Sequence, residues 1–349
     1  MDASDMKHMF RGAAVAAFLI LPTLAHAGPV PVPPSPPMPS ATAHMPFPVL
    51  VREEGGWVTR PQRSFPVRAV KVADIVGTLV VAVKPDGPTT LDISGIRSRV
   101  DGLEVSADGG TLKIEGQHIN SVWDWRNWFN FSIHDASAPK NLIVKITVPK
   151  GADLNVDGLV GDAAIGDTMG PVRFEAAAST ARIGRIGSAK LSFAGSGKID
   201  IAEVDGPLDL DIAGSGKVHV GKSKRVKADI AGAGDAQFGD IDGGLHLDIA
   251  GSGDVVANSV NGPVKISIAG SGSVKIANGQ AKPFKVSIMG SGNIDFGGMA
   301  VDPDLSALGS GSVHLKSYSG RLSSNGSVSV KVNGKSVSVN TDDDDDSDD

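Results

Sequence analysis

The sequence has 349 residues, with 44 Gly, 21 Pro, no Cys and a formal net charge of −6. The lack of Cys excludes disulfides and thiolate metal sites, and the negative charge argues against nucleic-acid binding, which depends on Lys and Arg to neutralise phosphates. A hydrophobic content of 41% suffices for a core, and this length suits either several domains or one repeat domain.

Residues 1–27 have the pattern of a secretory signal peptide. Lys7 and Arg11 precede an uncharged apolar stretch that ends in small residues, and cleavage is expected between Ala27 and Gly28. An uncleaved N-terminal anchor is the alternative. After cleavage we expect an exported protein without a transmembrane anchor, located in the periplasm or at the cell surface.

Residues 28–56 form a proline-rich segment. Nine of the 21 prolines fall within residues 28–48. Because proline lacks a backbone N–H, this composition predicts an extended, disordered spacer of polyproline type rather than part of a core.

Residues 57–150 are predicted to form an N-terminal β region. Short runs rich in β-branched residues alternate with turn residues, and the runs 102–107 and 111–115 flank Asp108-Gly109-Gly110. This arrangement predicts a β-hairpin.

An aromatic cluster interrupts this β region. Interleaved polar residues separate its members, which include three of the four tryptophans. Exposed aromatic side chains stack on sugars or anchor protein partners, so the cluster is a candidate contact site for an envelope or surface protein or glycan. The alternative is a structural plug for the end or side of the fold. The cluster consists of Trp123, Trp125, Trp128, Phe129 and Phe131.

Residues 151–319 contain an internal repeat. A Gly-Ser-Gly triplet, or Gly-Ala-Gly at residue 232, recurs seven times at intervals of 18–20 residues. The first glycines are Gly195, Gly214, Gly232, Gly251, Gly270, Gly290 and Gly309. On either side of each triplet, apolar and polar residues alternate with the period of a β-strand. Coils of about 19 residues that stack on one another bury these apolar faces, and glycine suits the tight corners.

The sequence therefore predicts an all-β fold, a parallel β-solenoid. Over roughly residues 65–315 the sequence resembles the bacterial head GIN domain family of auto-transporter adhesins. The resemblance rests on the early predicted strands, on Asp108-Gly109-Gly110 and on the Ile-Ala-Gly-Ser-Gly copies. The resemblance implies a right-handed parallel β-helix of the cell envelope, and the family name implies adhesion. No segment after residue 320 is long enough for a translocator barrel, which needs many strands of about ten residues.

Alignment of the repeats places Asp211, Asp229 and Asp248 in one outward row on adjacent coils. Lys227 lies close to this row in the alignment. Stacked carboxylates repel one another, and a divalent cation such as Ca²⁺ or a nearby lysine offsets the repulsion. A solvated, charge-compensated face, a weak calcium site and a catalytic carboxylate cluster are the alternatives.

The C-terminal residues divide into two parts. Residues 320–341 are predicted to form a hairpin cap around Asn333-Gly334, a favoured two-residue turn. Residues 342–349, with seven aspartates, are expected to be a disordered, solubilising tail.

Taken together, these features predict an exported, non-enzymatic structural or adhesion module without a cofactor. The motifs of phosphate-binding loops and of serine hydrolases are absent from the sequence. A polysaccharide-modifying β-helix enzyme and a self-assembling envelope scaffold are the alternatives.

Overall fold

The structure of the chain is a computed structural model that describes residues 56–116 and 141–337. It is nearly all β, with 77% strand and 2% helix. The signal peptide, most of the proline-rich segment, the aromatic cluster and the acidic tail lie outside the described residues.

The first part of the fold combines eight strands with one short helix, α1 (Arg97–Asp101). The strands are β1 (Trp57–Thr59), β2 (Arg63–Phe65), β3 (Ala69–Ala73), β4 (Val76–Lys84), β5 (Thr89–Ile96), β6 (Glu104–Asp108), β7 (Thr111–Glu115) and β8 (Leu142–Pro149). The predicted hairpin is confirmed, because β6 and β7 pair antiparallel and Gly109 and Gly110 between them have positive φ.

The second part contains long strands that belong to the repeats. They are β9 (Asp153–Ile165), β10 (Pro171–Ile186), β11 (Ser188–Gly195), β12 (Lys198–Gly214), β13 (Lys217–Gly232), β14 (Asp235–Ile241), β15 (Leu245–Gly251), β16 (Asp254–Gly270), β17 (Ser273–Gly290), β18 (Asn293–Val301), β19 (Asp304–Gly309), β20 (Ser312–Ser319), β21 (Ser323–Gly326), β22 (Ser329–Val332) and β23 (Lys335–Ser336).

These strands build a parallel β-solenoid of about nine turns of roughly 19 residues, as the sequence predicts. Equivalent residues of successive repeats are register partners, and the inward residues form continuous apolar ladders. One ladder runs through Leu191, Leu210, Ala228, Leu247, Ile266, Val286 and Leu305. All of these side chains are buried. Burial of each large aliphatic side chain contributes about 1.5–3 kcal/mol, so the ladders hold the coils together without disulfides.

The glycine triplets form one corner of each coil. The first glycine has positive φ, between +107° and +131°, in all seven copies. A Cβ on Gly251 would lie 2.3 Å from the carbonyl oxygen of Gly232 in the preceding coil, and the Ser252 amide donates to that same oxygen at 2.9 Å. Glycine is therefore required both by the backbone conformation and by the close approach of the coils.

The opposite corner is a bend within a continuous strand in some repeats and a break between two strands in others. Strand β12 passes through Gly206-Pro207 without a break, and its register against β13 shifts between Val204 and Pro207, as at a bulge. Strands β13, β16 and β17 also continue through this corner, whereas β14 with β15 and β18 with β19 form the two separate strands that the sequence pattern suggests.

The solenoid begins earlier than residue 151, where the sequence analysis starts it. Strands β3 and β4 stack parallel on β9. Strands β7 and β8, which come later in the chain than β3 and β4, stack parallel on their other side. The coil of β7 and β8 is thus the terminal one, and β6 and β5 cover it in antiparallel pairing.

At the C-terminal end the apolar ladder ends in polar residues. Leu305 is the register partner of Ser324, and Ala307 is the partner of Gly326. Strand β22 stacks on β20 and pairs antiparallel with β23 through a turn at Asn333 and Gly334, both with positive φ. The predicted terminal hairpin is present over the described residues.

Candidate functional site

The segment that carries the aromatic cluster is inserted at a corner of the terminal coil. Strand β7 ends at Glu115 and β8 begins at Leu142, whereas β3 and β4 of the next coil are joined by only two residues. Both stems are fixed, because the Gly116 amide donates to the Ala73 carbonyl and Asn141 accepts from the Ile96 amide, each at 2.9 Å.

The aromatic residues themselves lie outside the described residues. They are Trp123, Trp125, Trp128, Phe129 and Phe131. Their segment connects β7 and β8 of the terminal coil. The outer side of this coil is covered by the antiparallel strands β5 and β6, and by the buried side chains of Val100 and Leu103. This end of the core is therefore packed by described residues.

The predicted aspartate row has the expected alignment. Asp211 is the register partner of Asp229, and Asp229 is the partner of Asp248. A lysine, Lys227, forms an ion pair with Asp229, and His246 Nε2 lies 3.0 Å from a carboxylate oxygen of Asp248. Two of the three carboxylates thus have a basic side chain from their own coil beside them.

The electrostatics of the row reflect these contacts. Burial, and secondarily the Asp229 carboxylate, raise the pKa of Asp211. The hydrogen bond to Asp229 raises the pKa of Lys227. Among the residues of 56–116 and 141–337, no group of three or more His, Asp or Glu side chains is arranged to hold a metal ion. The row is a partly charge-compensated face of the sheet, and its arrangement gives the calcium hypothesis no support.

A neighbouring row contains exposed apolar residues that the sequence analysis does not single out. The residue before each corner is Ala in five consecutive coils from Ala194 to Ala269, then Met289 and Leu308. Met289 is 49% exposed and Leu308 is 74% exposed. Alignment of the seven repeats on their glycines would have revealed this row, because its apolar residues occupy outward positions.

The surface of the described part of the chain has an open depression across the first coils. It has a volume of about 390 Å³ and is formed mainly by apolar residues and glycines of three coils, with Arg182 as its one charged residue. Its lining includes Val80, Ile165 and Ile183. The depression lacks a carboxylate pair or a nucleophile–base pair, the arrangements that hydrolytic chemistry uses.

No helix among the described residues is long and apolar enough to cross a membrane.

Several solved bacterial structures have a similar course of the chain. A "putative adhesin" from Parabacteroides distasonis is 17% identical, with a TM-score of 0.40, and the alignment covers 76% of this chain and 98% of that one. A "putative adhesin" from Parabacteroides merdae is 16% identical, with a TM-score of 0.39 and coverages of 76% and 98%. A "putative cell adhesion protein" from Clostridium sporogenes is 12% identical, with a TM-score of 0.30 and coverages of 63% and 99%. A comparison with curated proteins gave no significant match.

A family model described as "Putative auto-transporter adhesin, head GIN domain" matches residues 72–276. The matched region runs from β3 to the first residues of β17 and so includes the terminal coil, the aromatic insertion and five of the glycine corners. Because the match covers more than half of the 349 residues, the chain belongs to the head GIN domain family.

Proposed function

We propose that the protein is an exported, non-enzymatic adhesion module of the cell envelope that contacts a protein or glycan through Trp123, Trp125, Trp128, Phe129 and Phe131. One observation carries the proposal. The cluster belongs to a long insertion with two fixed stems, in a coil whose end is already covered by β5 and β6.

This observation favours a contact site over a plug. A plug is needed where a core is open, and the buried side chains of Leu91, Ile93, Val100 and Leu103 already fill this end. Aromatic side chains that the core does not need are available for stacking on sugar rings or for anchoring a partner.

A binding function also fits the chemistry of the described surface. The Asp211–Asp248 row has basic neighbours beside its carboxylates, and the lining of the depression of about 390 Å³ holds no acid–base pair. Adhesion requires only a rigid surface and a few anchoring side chains, and the solenoid supplies the rigid surface.

The test is binding of the purified full chain to isolated envelope polysaccharide and to intact cells. Simultaneous replacement of Trp123, Trp125 and Trp128 by Ala is expected to weaken binding by about tenfold or more, because aromatic anchors dominate such contacts. Trp57→Ala is the matched control, since Trp57 is 54% exposed on β1, outside the insertion.

Circular dichroism of the triple variant is expected to retain the β spectrum, because the paired strands and the buried core described here contain none of the three tryptophans. Two results would contradict the proposal: equal binding by the triple variant and the wild-type chain, or no binding by the wild-type chain to either target.

A further inference from the structure

The charge of the solenoid changes sign toward its C-terminal end. Residues 153–264 contain 16 Asp and Glu against 10 Lys and Arg. Residues 305–337 contain three Lys and one Arg, and no Asp or Glu. Seven aspartates then follow within residues 342–349. A cationic stretch of the described fold is thus followed directly by the most acidic segment of the chain.

The three lysines of this stretch, which we call the terminal lysines, belong to the last coil and its hairpin. They are Lys316, Lys331 and Lys335. Lys331 of β22 is the register partner of His314 in β20 and of Ser336 in β23. Lys335 begins β23, and Lys316 directly follows Leu315, the register partner of Val332.

The terminal lysines have no anionic partner within residues 56–116 and 141–337. Some lysines elsewhere in the solenoid do have such partners, as Lys217 does in Asp235 at 2.9 Å and Lys198 does in Asp200 at 3.1 Å. The end of the fold therefore presents positive charge that the rest of the described chain does not compensate.

The acidic segment is tethered close to this charge. The Val337 amide donates to the Val330 carbonyl at 3.0 Å, which fixes the chain beside β22. Only residues 338–341 separate Val337 from Asp342, so the two Cα atoms are five steps of the chain and at most about 18 Å apart. A tether this short gives an effective concentration in the millimolar range, so weak attractions suffice for contact.

We propose that Asp342–Asp349 binds back onto the terminal lysines and covers the cationic end of the solenoid. Exposed ion pairs are individually weak and are screened by salt, so the contact is reversible. While bound, the segment shields the lysines from anionic polymers and from the acidic coils 153–264 of a second copy. This inference does not depend on the aromatic cluster.

The experiment uses a paramagnetic label on the full chain at Ser347→Cys, which is a unique site because the chain contains no other Cys. The label broadens the amide signals of residues near it, and its attachment close to β23 in the sequence alone causes part of this effect at β22 and β23. The informative quantity is the difference between this chain and one with Lys316→Gln, Lys331→Gln and Lys335→Gln. The matched control carries Lys113→Gln, Lys145→Gln and Lys150→Gln at the other end of the solenoid.

At low ionic strength we expect strong broadening at β20, β22 and β23 in the labelled chain and in the control. The broadening at these strands is reduced, to the level that the tether alone causes, in the terminal-lysine variant and at about 0.5 M salt, where charges are screened within roughly 4 Å. Broadening of the same strength in the terminal-lysine variant, or of the same strength at low and high salt, would overturn the proposal. Broadening centred on other coils would overturn it too, because a different surface would then hold the segment.

Discussion

At the scale of single residues, the first glycine of each triplet combines a backbone requirement with a packing requirement. Gly251 has φ +130° and lies against the backbone of Gly232. We predict that Gly251→Ala lowers the free energy of unfolding by about 1–3 kcal/mol, because a side chain there strains the backbone and pushes adjacent coils apart. Urea denaturation followed by circular dichroism measures the change.

A second glycine, Gly109, has the backbone requirement without the packing requirement. Gly109 also has positive φ, +57°, but a Cβ there would meet no atom within 4 Å. Gly109→Ala is therefore expected to cost only about 1 kcal/mol, the penalty of the left-handed conformation. If both variants lose the same stability, the stacking of the corners contributes nothing beyond the backbone conformation.

Asp211 is a second residue with a testable energetic role. Its pKa is raised above the ordinary value of 3.8 by burial and by Asp229, so the native chain holds this proton more tightly than the unfolded chain. The stabilisation from this group is present below pH 3.8 and is lost as the pH rises through the raised pKa. We predict that Asp211→Asn stabilises the protein at pH 7 by about 0.5 kcal/mol, the size of one exposed like-charge pair.

The pH dependence of unfolding distinguishes this effect from a general effect of removing an aspartate. The advantage of Asp211→Asn should shrink as the pH approaches 3.8. Asp209→Asn on the same strand is the control, because Asp209 lies between Lys190 and Lys227 in register and its removal loses favourable contacts. Stabilisation by Asp209→Asn equal to that by Asp211→Asn would contradict this explanation.

At the scale of strands and coils, the repeats were predictable because the glycine spacing fixes the register. The sequence alignment pairs Asp211 with Asp229 and Leu210 with Ala228, as the structure does. The second corner was not predictable in detail, because a bulge within a strand leaves no invariant residue in the repeats. The same alignment places Met289 and Leu308 at outward positions, and both side chains are exposed in the structure.

The order of the first coils could not be predicted from the sequence. Strands β3 and β4 lack the glycine triplet, and between them and β9 the chain forms β5, α1, β6, β7 and β8. Local patterns identify these strands, but only long-range pairing decides which coil lies outermost. The position of the aromatic insertion at the terminal coil therefore required the structure.

The C-terminal hairpin is an element with a protective role. Strand β22 covers the edge of β20. Its residue Val330 is the register partner of Val313 and is buried. A chain that ends after Ser327 is expected to associate, because the edge of β20 becomes available for pairing with another chain. Light scattering at increasing concentration measures this association.

A chain that ends after Val337 is the control for this truncation. It keeps the hairpin and lacks only residues 338–349, so strand-edge association is not expected. Both truncated chains are compared at about 0.5 M salt, which screens any association through the uncovered lysines. If the shorter chain stays monodisperse while remaining folded, the hairpin does not protect the edge.

At the scale of the whole molecule, the solenoid is a linear stack in which each coil contacts mainly its neighbours. Stability in such a stack is approximately the sum of coil and interface contributions. Each end coil lacks a neighbour on one side, so its exposed edge must be covered by another element. One end is covered by the antiparallel strands β5 and β6, and the other by polar residues and the hairpin. The aromatic insertion and the acidic tail are attached at these opposite ends.

The central claim is that the coil of β7 and β8, which carries the aromatic insertion, lies outside the coil of β3 and β4. Lys113, Lys71 and Asn155 are in register on β7, β3 and β9, so neighbouring pairs are about 4.8 Å apart and the outer pair about 9.6 Å apart. Disulfides need Cα atoms within about 7 Å of each other.

Pairs of cysteines in this Cys-free chain test the order directly, by mass spectrometry after mild oxidation. The pairs Lys71→Cys with Lys113→Cys, and Lys71→Cys with Asn155→Cys, are expected to form intramolecular disulfides. The pair Lys113→Cys with Asn155→Cys is expected to stay reduced. Efficient oxidation of that third pair in the monomer would place β7 beside β9 and contradict the arrangement that puts the aromatic insertion at the end of the solenoid.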